Sequence, residues 1–161
     1  MVANLLLAKN GATTIKGHSA GLRTREDGER FHEIRKSAKA VLIGGNTFRN
    51  EPYNKSVIPV FVSSNTLPEQ NTRNLQISKL SPEELLAVAI EKVGTPVVVE
   101  GGPNFLAPLL ASKAIDRFYI SRVLISGDDN YFSEQLLQVN YKKIESFSKN
   151  ETTFETWEPV F

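Results

Sequence analysis

Ala40-Val41-Leu42-Ile43-Gly44-Gly45-Asn46-Thr47 and, further on, Pro96-Val97-Val98-Val99-Glu100-Gly101-Gly102-Pro103-Asn104 decide how this chain is read. Each is an apolar run of strand type that ends on a glycine pair and leads into a stretch able to form a helix. Strand, glycine turn and helix start together hold phosphate in α/β proteins. The bare backbone lets an anion approach, and free N–H groups with the helix dipole attract it. Either pair alone is also readable as a simple tight turn. Two of them point to one extended, phosphate-rich ligand lying across neighbouring strand ends.

Outward from these runs, strands and helices alternate. Val2 to Ala8 is a buried strand, Asn10-Gly11 a turn, and Ala12 to Ile15 a possible short strand. Thr24 caps a helix that continues through Phe31, Ile34 and Arg35, with Asp27 placed to help close the cap. Ala38 to Ile43 is a buried strand. Val57 to Val62 is another, with Pro59 inside it, which predicts an edge or an early break. Ser64 to Asn74 reads as a surface loop, and Leu75 to Ile77 as a short strand. Ser81-Pro82-Glu83-Glu84 is a capping box with proline at its first helical position. Leu85, Leu86, Ala89, Ile90 and Val93 share one helix face, and Gly94 stops the helix. Val97 to Val99 is buried strand. Pro103 opens a helix through Leu110, and Ile115 to Ile125 is a long strand. Lys142 to Ser148 and Thr153 to Val160 form a hairpin turning at Asn150. The alternation predicts an α/β three-layer sandwich in one domain over residues 1–161, with a mostly parallel sheet and a C-terminal antiparallel hairpin.

The 161 residues fit one domain, and an apolar fraction of 40% suffices for a core. A net charge of +1 offers no global field for nucleic acid or a membrane. The chain has no cysteine, which excludes disulfides, thiolate metal sites and cysteine nucleophiles and fits a reducing, cytoplasmic setting. The N-terminal run reads as a strand rather than a signal peptide, and nothing approaches the length of a membrane span. His18 and His32 belong to no metal-ligand pattern, so no metal is expected. The Walker, GxSxG and GxGxxG patterns are absent.

The polar residues beside the glycine pairs are the remaining candidates. Asn46 and Thr47 either cap a short helix or bond a phosphate. Ser63, Ser64 and Asn65 end an apolar run, and are either loop polarity or a pocket for a monoester phosphate. Arg49 is a surface charge or that phosphate's cationic partner. His32 reads as structural and His18 as a loop residue. Glu100, at a strand end, reads as a turn or hydrogen-bonding residue rather than an acid. No residue is assigned as catalytic.

The run Phe31 to Tyr53 resembles the pyrimidine-reductase family of riboflavin biosynthesis, whose members stand alone or form the C-terminal half of a bifunctional deaminase-reductase. Arg35, Gly44, Thr47, Arg49, Glu51 and Tyr53 match its pattern. Val99-Glu100-Gly101-Gly102-Pro103-Asn104-Phe105-Leu106, with Leu109-Leu110 and Ala114-Ile115-Asp116-Arg117, resembles its second glycine motif. The resemblance spans Val2 to Ile125. It implies a dihydrofolate-reductase-like fold, NADPH as cofactor and a homodimer. It also implies reduction of a ribosylamino-pyrimidine phosphate, ribosyl to ribityl. By resemblance, Gly44, Gly45, Asn46 and Thr47 hold part of the dinucleotide phosphates. Gly101, Gly102, Pro103, Asn104 and Phe105 hold the pyrophosphate and nicotinamide side, and Ser63 and Ser64 meet the adenosine 2′-phosphate. Arg49 holds a cofactor or substrate phosphate. Asn10, Thr14, Ser19 and Glu51 are the candidates for substrate contact.

The chain departs from the family on the substrate side. Where relatives have Ser-x-Asp-Gly-Lys after the first strand, this chain has Ala8-Lys9-Asn10-Gly11-Ala12, and the acidic pair before the proline is Asn50-Glu51. Asparagine is no proton donor of the acid type, and alanine binds no phosphate. Two further readings therefore stay open: a reductase of a pteridine or other small heterocycle, and a nucleotide-binding homologue without turnover.

Overall fold

A computed structural model describes residues 1–161. Nine strands form one sheet: β1 (Val2–Leu7), β2 (Ala40–Gly44), β3 (Val60–Ser63), β4 (Gln70–Asn71), β5 (Leu75–Ser78), β6 (Val97–Val99), β7 (Arg117–Arg122), β8 (Tyr141–Lys149) and β9 (Thr152–Pro159). Their order is β4-β5-β3-β2-β6-β1-β7-β9-β8. The six central strands from β5 to β7 are parallel, β9 and β8 close one side as an antiparallel hairpin, and β4 pairs antiparallel with β5 at the other. Five helices cover it: α1 (Arg25–Lys36), α2 (Gly45–Asn50), α3 (Pro82–Val93), α4 (Pro103–Ala111) and α5 (Gln135–Asn140).

The central strands are buried on both faces, hence their unbroken apolar runs. On one face Leu5, Leu42, Val97, Val99, Phe118 and Ile120 meet the apolar sides of α3, α4 and α5 in a cluster of 22 buried residues. On the other, Val41, Ile43, Val60, Val62 and Ile77 pack beneath Phe48 and Tyr53, and Leu6, Ala8, Ala12, Leu22 and Val123 form a smaller cluster. The three-layer, dihydrofolate-reductase-like sandwich is therefore present.

Local signals are met where they were expected. Ser81 Oγ accepts from the Glu84 N–H while Glu84 reaches back to the Ser81 N–H, and Gly94 ends α3 with φ +74°. Asn150 sits at the hairpin turn with φ +55°. Thr24 caps α1 by accepting from the Asp27 N–H at 3.1 Å. The Asp27 carboxylate does not close that cap. It is 1% exposed, lies 3.4 Å from the Arg23 Nε, and burial raises its pKa.

Five expectations need correction. Residues 12–15 form no strand, only single bridges from Thr14 to Asp129 and Ile15 to His18. β3 lies inside the sheet rather than at an edge, because the strand begins after Pro59 and its missing N–H costs the ladder nothing. The presumed loop from Ser64 to Asn74 contains the two-residue β4, and the long strand from Ile115 is cut to Arg117–Arg122. His32 is exposed on α1, so it has no structural role in the core.

Tyr141, at the start of β8, is 3% exposed, and its hydroxyl has no hydrogen-bond partner. Burial pushes that hydroxyl up to about 12. Its contribution to stability is whole below the ordinary tyrosine value near 10 and is lost as the pH rises toward 12. Tyr141→Phe is expected to flatten this alkaline loss and to leave neutral-pH stability unchanged or slightly raised, since no hydrogen bond disappears. Thermal melts across pH check it.

Candidate functional site

The C-terminal ends of β2, β3 and β6 and the middle of β1 border one cavity of about 990 Å³. This lies at the upper end of the range for small-ligand sites, room for two ligands side by side. Gly44 ends β2 and Ser63 ends β3, paired across the ladder. The loop after β6 then brings Glu100, Gly101 and Gly102 beside them.

One glycine of each pair sits where a side chain would not fit. A Cβ on Gly45 would stand 2.9 Å from the Ser64 Cβ, and one on Gly101 would stand 2.7 Å from the Phe105 Cβ. Gly102, by contrast, faces open space. No group in the chain accepts from the N–H of Gly101, Gly102 or Asn104, at the start of α4. Three free donors on bare backbone at a helix N-terminus form a cradle for an anion.

A second polar cluster lies beside Gly45. Arg49 donates to Asn46 Oδ1 at 2.9 Å and to Thr66 Oγ1, and it has no carboxylate partner. Ser64 Oγ accepts from the N–H groups of Thr66 and Leu67 at 3.2 and 3.1 Å, which folds the 64–67 turn over the cleft. Ser63 is occupied otherwise: its hydroxyl donates to the Leu80 carbonyl at 2.6 Å.

Next to the second glycine pair stands an ion pair that the sequence did not disclose. Glu100 accepts from Arg35 Nε at 2.7 Å, from Arg35 Nη2 at 2.6 Å and from the Tyr53 hydroxyl at 2.5 Å. Burial, then the Glu100 charge, pushes the Tyr53 hydroxyl well above its ordinary value. Arg35 also lies 5.2 Å from the Tyr53 ring and 4.7 Å from the Phe31 ring, whose other neighbour is Arg23 at 4.6 Å. The carboxylate is thus a hydrogen-bonding residue that pins α1 and the turn around Tyr53 to the second glycine pair.

Of the residues expected at the site, Gly44, Gly45, Asn46, Thr47, Arg49, Ser63, Ser64, Gly101, Gly102, Pro103, Asn104 and Phe105 all line this cavity. Thr14, Ser19 and Glu51 line it as well, and Glu51 accepts from the Ser19 N–H at 2.7 Å. Asn10 does not. Its amide accepts from the Gly127 N–H at 3.0 Å and donates to the Gly127 carbonyl at 2.8 Å, so it ties two loops together outside the cleft. Ala12 is wholly buried behind the wall. Sequence reasoning missed Asp129, Asn130 and Tyr131, which line the cleft and reach it through that loop pairing. His18, also unassigned, meets the Asn50 carbonyl at 2.7 Å.

A mostly parallel sheet with an antiparallel C-terminal hairpin and a cleft across its strand ends defines the dihydrofolate-reductase-like class. Dihydrofolate reductase from Enterococcus faecalis, solved with NADP(H) and RAB-propyl, superposes with a TM-score of 0.74 at 17% identity, over 99% of this chain and 96% of that one. A Shewanella sp. PV-4 protein named for riboflavin biosynthesis gives 0.72 at 19% identity, over 99% and 98%. A diaminohydroxyphosphoribosylaminopyrimidine deaminase/5-amino-6-(5-phosphoribosylamino)uracil reductase from Thermotoga maritima gives 0.75 at 16% identity. The alignment covers 99% of this chain but only 56% of the Thermotoga chain. No curated protein sequence matches. The family model for the RibD C-terminal domain matches residues 11–151, and the chain belongs to that family. No group of three or more His, Cys, Asp or Glu side chains is arranged to hold a metal ion, and no helix is long and apolar enough to cross a membrane.

Proposed function

We propose that the protein is an NADPH-dependent reductase of the pyrimidine-reductase type, working as a homodimer in the cytoplasm. The carrying observation is the anion cradle of unpaired N–H groups at Gly101, Gly102 and Asn104, with the uncompensated Arg49 lining the same cavity. These features fit a dinucleotide. Gly44 to Thr47 and Gly101 to Phe105 would hold its phosphates and nicotinamide side, and Ser64 with Arg49 its 2′-phosphate. NADPH, when bound, supplies the hydride.

The chain's own residues bind and orient. Glu100 fixes the glycine turn, Phe105 backs it, and Thr14, Ser19 and Glu51 face the second ligand. In the reaction type of the family, ribosyl to ribityl, these residues would hold a ring-opened sugar imine beside the hydride donor. Positioning and exclusion of water then carry the catalysis. A second reading, reduction of another small heterocycle such as a pteridine on the same platform, is favoured by the placement of Asn10 and Ala12 outside the cleft.

NADPH and NADH titrations test the cofactor. Arg49→Ala and Ser64→Asp are each expected to weaken NADPH about tenfold or more, as the loss of a charge-assisted hydrogen bond would. NADH should be far less affected. Aspartate keeps an acceptor for the 64–67 turn, and melting temperatures of both variants separate a loss of fold from a loss of the cofactor contact. Equal weakening of both cofactors would remove the 2′-phosphate from this pocket. NADPH binding without oxidation by any pyrimidine or pteridine candidate would favour a homologue without turnover.

A further inference from the structure

We infer that the half of the cleft away from Arg49 recognises the heterocycle of its ligand and gives no binding to a phosphate ester. This rests on the reading of the cavity as a reductase cleft. The two halves differ in free charge. The nucleotide half, from Gly44 to Arg49, Ser63 to Thr66 and Gly101 to Phe105, contains Arg49 and no carboxylate. In the other half both arginines are already neutralised. Arg35 is held by both oxygens of Glu100, whose side chain is 4% exposed, and Arg23 by Asp27, 2% exposed. Turning Arg35 toward a phosphate would strand the buried Glu100 carboxylate without its counter-charge, which costs several times what a surface contact returns. Arg23 is drawn instead to Asp27, at 3.4 Å.

Two further carboxylates, Glu51 and Asp129, line this half, and neither has a cationic partner. The one unpaired cation there is Lys55, an exposed side chain on the turn after Tyr53. The balance is therefore negative. Ionised carboxylates accept hydrogen bonds and repel a phosphate dianion. Ring N–H and amino groups of a pyrimidine or pteridine are their natural partners, and a phosphate carried by such a ligand would project to solvent.

The test uses the NADPH-saturated protein titrated with 5-amino-6-ribitylaminouracil and with its 5′-phosphate. The unphosphorylated compound is expected to bind at least as tightly as the phosphate, with a ratio that Lys55→Ala does not change. Asp129→Lys is expected to shift the ratio about tenfold toward the phosphate. A tenfold or greater preference of the unaltered protein for the phosphate overturns the inference, as does loss of phosphate affinity in Lys55→Ala. Failure of both compounds, and of a dihydropteridine titrated alongside them, to bind to NADPH-loaded protein overturns the heterocycle assignment. Failure of NADPH itself to bind is a separate result, and it strikes the reductase reading instead.

Discussion

Gly101→Ala is expected to abolish useful NADPH binding and to lower stability together. The added methyl would stand 2.7 Å from the Cβ of Phe105, a distance real side chains do not tolerate. Phe105 has no room to give way. It is 7% exposed, lies in the first turn of α4 and belongs to the main core cluster. Overpacking of this kind costs about 2 kcal/mol. Displacing the turn also misaims the Gly101, Gly102 and Asn104 donors. Losing two charge-assisted hydrogen bonds weakens binding roughly a hundredfold. Gly102→Ala is the informative partner, because its methyl meets nothing within 4 Å and φ of −71° suits any residue. Its melting temperature should match the parent's, so any loss of NADPH affinity in Gly102→Ala reports contact with the cofactor itself. If Gly101→Ala binds NADPH as the parent does, the turn is only a turn.

The second large effect is expected at Glu100. Glu100→Ala removes the partner of Arg35 and Tyr53 at once and leaves a guanidinium and a buried hydroxyl unmatched. Removing one member of a buried pair costs 3–5 kcal/mol as a rule. Arg35 keeps 27% side-chain exposure, so water softens the loss to roughly 2–3 kcal/mol, or about 5–10 °C in Tm. Glu100→Gln keeps the shape and half the acceptors, and it should fall between the two. Thermal melts of the three proteins measure this. A melting temperature within 1 °C of the parent for Glu100→Ala would mean that the cluster holds nothing together.

Features made by neighbours in sequence were legible: the capping box at Ser81, the stop at Gly94, the turn at Asn150 and the buried valines of β6. Their physics acts within a few residues. What was not legible joins distant segments. Arg35 and Glu100 lie 65 positions apart, and Asn10 and Gly127 lie 117 apart. No local pattern distinguishes an arginine that seeks a phosphate from one already held by a carboxylate. Asn10 shows the same limit: read from the strand it follows, it belonged to the cleft, yet its amide matches both the N–H and the carbonyl of Gly127. Short elements failed for another reason. β4 has two residues, and α5 buries only Leu137, too little for a period to register. Within the site, the glycine pairs and their flanking polar residues were found because backbone chemistry marks them. The Asp129 to Tyr131 wall carries no such mark.

The place of β1 in the sheet bears on how the molecule comes into being. It lies between β6 and β7, and Val2 pairs with Val98 on one side and Arg117 on the other. On a ribosome, the apolar run from Val2 to Leu7 therefore waits for about a hundred further residues before either neighbour exists. Most of the central ladder is likewise closed between segments remote in sequence, a topology that folds in milliseconds to seconds rather than microseconds. During that interval the run is an open strand, so a nascent chain halted before β6 would be a client for chaperones rather than a smaller folded unit.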